Sequence, residues 1–134
     1  MSMSEHEVSR VLSAPPSAAF AVASDVGRLP EWLPTVHITA GKTDGEVHVE
    51  GDSPAGHYEN DGLWRTQPDQ LRVEWSSESH GAPQTYAGWL QVADSGQDGS
   101  EVTVHLSFFE GNAPKDVEGA LTSALDALAG LVES

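Results

Sequence analysis

The most constraining feature of this chain is a change of period near its C-terminus. "EVTVHLSFF", Glu101 to Phe109, sets Val102, Val104, Leu106 and Phe108 against Thr103, His105 and Ser107, a strict alternation that predicts a half-buried strand. From Ala113 or Pro114 the apolar residues recur every three or four positions: Val117, Leu121, Leu125, Leu128 and Val132, with Ala120, Ala124 and Leu131 beside them. That spacing predicts a long amphipathic helix, with Asp116 and Glu118 in its first turn where they complement the helix dipole. A strand with one dry face needs a cover, and the helix that follows it is the obvious one.

The same alternation runs through the middle of the chain. Val36, Ile38 and Ala40 alternate with His37 and Thr39, and Val47 and Val49 with Glu46, His48 and Glu50, across the turn "GKTDG". "LRVEWSSE" sets Leu71, Val73 and Trp75 against Arg72 and Glu74, and "QTYAGWLQVA" sets Tyr86, Gly88, Leu90 and Val92 on one face. In "HYENDGLWRT" two faces compete, and the one carrying Tyr58, Asn60, Gly62 and Trp64 is taken as inward. On the opposite register His57, Asp61 and Arg65 would point in instead.

The N-terminal part differs. "EHEVSRVLSA" predicts a first strand that stops at Pro15-Pro16, and "SAAFAVASDV" a short helix bringing Phe20 and Ala23 to one side, with Ser13 as a candidate cap. In "LPEWLPTV" Pro30 suits the first turn of a second short helix and Pro34 ends it, so Leu29, Trp32 and Leu33 share one face. The order is a strand, two short helices, about six more strands and a long helix. It predicts an α+β fold in one domain, residues 1–134.

Composition removes several function classes. With 6 Lys+Arg against 21 Asp+Glu the formal net charge is −15, which repels phosphate backbones and anionic headgroups, so neither nucleic acid nor a membrane surface is expected as a partner. There is no cysteine, which excludes disulfides, thiolate metal sites and a thiol nucleophile and fits a cytoplasmic location. No apolar run approaches the roughly 20 residues of a membrane span. The six histidines, His6, His37, His48, His57, His80 and His105, form no close pairs, so no metal site is expected. No G-x-S-x-G, G-x-G-x-x-G or P-loop is present, and no cofactor is expected.

"VSRVLSAPPSAAFAVASD", "DVGRLPEWLP" and the C-terminal "VEGALTSALDALAGLVES", in this order and spacing, resemble the START-like (SRPBCC) superfamily over nearly the whole chain. That superfamily includes polyketide cyclases, lipid-transfer domains and allergen-type ligand binders. The resemblance implies a helix-grip fold, a curved antiparallel sheet of about seven strands around the long C-terminal helix, with a cavity between them. The inward residues would then line it: Tyr58, Asn60, Trp64, Trp75, Tyr86, Leu90, Val104, Leu106 and Phe108, facing Leu121, Leu125 and Leu128, with Trp32 as a rim residue or a core plug. Such a lining suits a hydrophobic or aromatic small molecule, held by a carrier, a sensor or a cofactor-independent aromatase/cyclase-like enzyme, as monomer or homodimer. The alternative is a protein-interaction module like the chaperone-activating relatives of this fold. Trp89, on the otherwise polar side of its strand, would mark the interaction patch.

Overall fold

The computed structural model of the chain describes residues 3–25, 28–32, 36–40, 46–53, 56–77, 86–96, 99–109 and 117–133. Strand β1 (Met3–Leu12) is followed by helices α1 (Pro16–Ala23) and α2 (Leu29–Trp32). Then come β2 (Val36–Ala40), β3 (Glu46–Ser53), β4 (Gly56–Gln67), β5 (Arg72–Ser77), β6 (Tyr86–Gly96) and β7 (Gly99–Phe109), and finally α3 (Val117–Glu133). The strands form one curved antiparallel sheet in the order β1-β7-β6-β5-β4-β3-β2. From β2 to β7 sequential strands pair as neighbours, while β1 crosses over to join the far edge beside β7.

Register decides which side chains share a face. Val8, Val104, Leu90 and Val73 lie in one row across β1, β7, β6 and β5. The next row on the same face is His6, Leu106, Gly88, Trp75 and Trp64. Arg65 pairs with Glu74 and is exposed on the other face, so β4 has the inward register expected from Trp64 rather than the alternative that would turn Arg65 inward.

Helix α3 is fastened along β1. Arg10 forms an ion pair with Asp126, and the Ser13 backbone N–H donates to Glu133 Oε2 at 2.8 Å. The expected cap of α1, Ser13, is not the cap: that position is Pro15, which makes no side-chain cap hydrogen bond, and the Ser13 amide is used by α3 instead. Glu31 holds Arg28 at 3.0 Å beside α2, and this hydrogen bond raises the guanidinium's proton affinity further.

Two further expectations are refined. Ala120, placed on the buried stripe by spacing, is exposed, and Ala129 takes its place: the stripe is Val117, Leu121, Ala124, Leu125, Leu128 and Ala129. Trp32 is only 4% exposed within the core, so of its two expected roles it takes the plug. Leu33, Pro34, Asp116 and Val26 lie outside the described residues.

The core gathers Leu12, Phe20, Trp32, Val73, Leu90, Val92, Val102 and Val104 with the buried stripe of α3. Leu128 is 0% exposed at its centre. Leu128→Ala should cost about 2–5 kcal/mol through lost transfer energy plus the residual cavity. Chemical denaturation would show this as a lower midpoint at unchanged slope.

Candidate functional site

Burial along the inner face is uneven, and the unevenness defines the site. In the row that ends the core, Val104 is 4%, Leu90 1% and Val73 0% exposed. One step along the strands, Leu106, Trp75 and Trp64 are only partly buried, and so is Phe108 in the row beyond. Side chains that would be core residues by type therefore stand at the boundary of the core and are left incompletely covered. Uncovered aromatic surface on the inner side of a curved sheet is what an apolar ligand needs.

The aromatic part has a defined geometry. Trp64 and Trp75, directly opposite on β4 and β5, stack with ring centroids 5.7 Å apart and planes 17° from parallel. Such a cross-strand pair adds about 0.5–1.5 kcal/mol beyond its buried area. The neighbouring position on β6 is Gly88, and only glycine fits. A Cβ there would lie 2.6 Å from Leu106 Cδ2, 2.7 Å from the His105 carbonyl oxygen and 2.8 Å from Trp75 Cε2. The missing side chain lets the Trp75 indole lie across β6, which extends the flat surface toward Leu106. At the far edge His6 meets Phe108 edge-on, with centroids 6.1 Å apart and a 67° interplanar angle.

The residues expected at the ligand site thus separate into three groups. Trp64, Trp75, Leu106 and Phe108 come together on the partly open shelf, whereas Trp32, Leu90, Leu121 and Leu125 belong to the filled core. Tyr58 and Asn60 share the alternation of Gly62 and Trp64 on β4, and Tyr86 pairs with Phe108, but their side chains lie outside what the structure describes. His6 was missed. Its strand alternates only weakly in apolarity, yet a count of two back from Val8 was the available signal, since His6, Val8, Arg10 and Leu12 form one face.

The outer face carries a different feature. Small residues Ser107, Ala87 and Ser76 form a row between bulkier neighbours and leave a hollow of about 440 Å³. One wall is Trp89 and His105, stacked at 5.2 Å and 5°. Arg72 packs on Trp89 at 4.7 Å and donates to Glu74 at 2.8 Å. His105 also lies 3.3 Å from both Glu5 and Glu7. The hollow is rimmed by charges, and Arg72 and His105 both pack on Trp89. The inner shelf presents stacked, partly uncovered indoles to an apolar ligand; the outer hollow mixes Leu63, Ala87 and Trp89 with charged side chains. Among the described residues no group of His, Asp and Glu could hold a metal ion, and no helix is long and apolar enough to cross a membrane.

A sheet of this order, gripped by a C-terminal helix, is matched by known proteins. The profile of the family described as polyketide cyclase / dehydrase and lipid transport matches residues 3–133. The chain belongs to this family. No curated protein matches it. Among solved structures, the Zhui aromatase/cyclase from Streptomyces sp. R1128 superposes with a TM-score of 0.78 at 15% identity, covering 98% of this chain and 94% of that one. The protein TTHA0849 from Thermus thermophilus gives 0.74 at 16% identity, covering 97% of each. Ara h 8.0201 gives 0.67 at 15% identity, with 98% and 99% covered. At such identities these likenesses show the helix-grip fold and leave the site to be argued from this chain's own residues.

Gly88 provides the test of the shelf. Gly88→Val should destabilise the fold by about 1–3 kcal/mol through overpacking and displace Trp75 from Trp64. A urea titration followed by tryptophan emission should show both effects, a lower midpoint and a shifted native-state spectrum.

Proposed function

We propose that this family member binds a hydrophobic or aromatic small molecule on the inner face of the sheet, between the Trp64–Trp75 pair and α3. The carrying observation is the stacked, partly uncovered indole pair at the edge of a filled core. Burial of that surface by a ligand contributes about 25 cal/mol per Å². Tyr58, Asn60 and Tyr86 are proposed as further contacts on the basis of their register with Trp64 and Phe108.

Such a site fits three roles, carrier, sensor or cyclase, of which the family's description names cyclase and lipid transport. For the cyclase role, a flat aromatic shelf would act by shape, holding a flexible substrate in a reactive fold, so that proximity and orientation supply the rate. No cofactor is required for that chemistry. An aromatase/cyclase stands among the similar structures, in keeping with this role.

A second reading has one observation in its favour. Trp89 is a large aromatic on the solvent side of β6, beside the outer hollow, and Leu63 at the rim of that hollow is 45% exposed. A protein partner docking there would make the chain an interaction module without a small-molecule ligand.

One titration separates the two. N-phenyl-1-naphthylamine, a neutral dye that brightens in apolar sites, should bind the wild type. Trp75→Ala should weaken it by about tenfold, the equivalent of 1.4 kcal/mol, and Trp89→Ala should leave it unchanged. Loss of binding in Trp89→Ala with Trp75→Ala intact would move the site to the outer face.

A further inference from the structure

Among the described residues, five buried side-chain atoms have no hydrogen-bond partner: His6 Nε2, Arg10 Nε, Trp32 Nε1, Trp64 Nε1 and Ser100 Oγ. An unpartnered buried polar group costs about 1–3 kcal/mol, so each needs a reason. Trp32 and Ser100 are 4% and 0% exposed inside the filled core, where no ligand enters. Arg10 already commits its guanidinium to Asp126 of α3. His6 and Trp64 are different. Both are partly buried, and both belong to the row His6, Leu106, Gly88, Trp75, Trp64 at the open edge of the core.

Their positions in that row give the inference its content. His6 is on β1 and Trp64 on β4, with β7, β6 and β5 between them. The three intervening side-chain positions are Leu106, Gly88 and Trp75, of which the first two offer no polar group and the third lies stacked on Trp64. The row is therefore an apolar floor whose two end residues, His6 and Trp64, each hold one buried, unpartnered nitrogen. Four strand spacings of about 4.8 Å put roughly 19 Å of backbone between the two ends. The Trp64 indole N–H can only donate. His6 Nε2 donates or accepts according to tautomer.

Resting on the ligand-binding reading above, we propose that His6 and Trp64 are the polar readers of the site. They select an elongated, flat, apolar ligand that carries an oxygen, hydroxyl or carbonyl, toward each end. The oxygen at one end accepts from Trp64 Nε1. The oxygen at the other bonds His6 Nε2, and a hydroxyl there satisfies either tautomer. The ligand supplies the two hydrogen bonds that the free protein lacks, and its body covers Trp75 and Leu106. The free protein carries the cost of two unpartnered nitrogens, and ligands that lack the oxygens cannot relieve it.

The test uses three probes of one shape, stilbene, 4-hydroxystilbene and 4,4′-dihydroxystilbene, with the wild type, His6→Phe and Trp64→Phe. Binding is read by quenching of tryptophan emission, and stability by thermal melting. In the wild type each hydroxyl should tighten binding by about tenfold. Each variant should abolish one of the two steps, read as the ratio of hydroxystilbene to stilbene affinity within that variant, whatever happens to stilbene binding itself. His6→Phe should melt at the same temperature as the wild type or higher, because it deletes an unpartnered nitrogen and keeps an aromatic ring, whereas Trp64→Phe exchanges a bicyclic indole for a single ring and should melt somewhat lower. Two results overturn the inference: hydroxyl steps that persist in both variants, or a variant that loses affinity equally for all three probes and melts lower, which marks a packing role. If N-phenyl-1-naphthylamine binds but the hydroxyls bring no gain, the inference fails and the ligand-binding reading stands. If neither the naphthylamine nor any stilbene binds, the reading itself fails.

Discussion

A single helix cannot cover the inner face of this sheet, and the rest of the structure follows from that mismatch. The 17 residues of α3 make a rod about 25 Å long and 10 Å across. Seven strands span about 29 Å from edge to edge at normal strand spacing, and the longer strands run to 11 or 12 residues. Curvature of the sheet and the short helices α1 and α2 close part of the difference. They close it at one end, where Leu12, Phe20, Trp32 and Leu128 pack into a dry core. At the other end the inner face continues past its cover, and large aromatic residues occupy it.

That division explains how one set of alternating strands serves both stability and binding. The row Val104, Leu90, Val73 is made of branched aliphatic residues that fill space between sheet and helices. The next row replaces them with Trp64, Trp75 and a glycine, a combination that builds a flat surface instead of an interdigitated one. The change happens over one strand repeat. The outer face is built the opposite way: it is mainly polar where β5, β6 and β7 meet, and the large aromatic there, Trp89, stacks with His105 and is packed by Arg72.

Most of the fold was legible in the sequence because period is a direct consequence of geometry. The alternation in "EVTVHLSFF" and the stripe from Val117 to Val132 translate into β7 and α3 with little loss. In strand β4 two faces compete in the sequence, and the pairing of Trp64 with Trp75 decides between them. The site was legible only as a face. Sequence spacing does not say where along a strand the covering helix ends, so Leu90, Leu121 and Leu125 were grouped with Trp64 and Trp75 although they lie in the filled core. Nor does apolar patterning reveal a polar residue on a dry face: His6 became visible only when β1 was paired in register with β7. Trp32 is the opposite case, a residue whose proline-bounded setting suggested a rim but whose contacts are those of a core residue.

Everything proposed for this protein depends on the ligand site being the inner shelf and not the outer hollow. The indole N–H resonances of Trp64, Trp75 and Trp89 report on the two faces separately, Trp64 and Trp75 inside and Trp89 outside. We would assign them by substitution and follow them by ¹H–¹⁵N NMR during a titration with N-phenyl-1-naphthylamine. Movement of the Trp64 and Trp75 signals with Trp89 stationary is the expected outcome. Movement of Trp89 alone would refute the inner site and place the binding surface on the solvent side of the sheet.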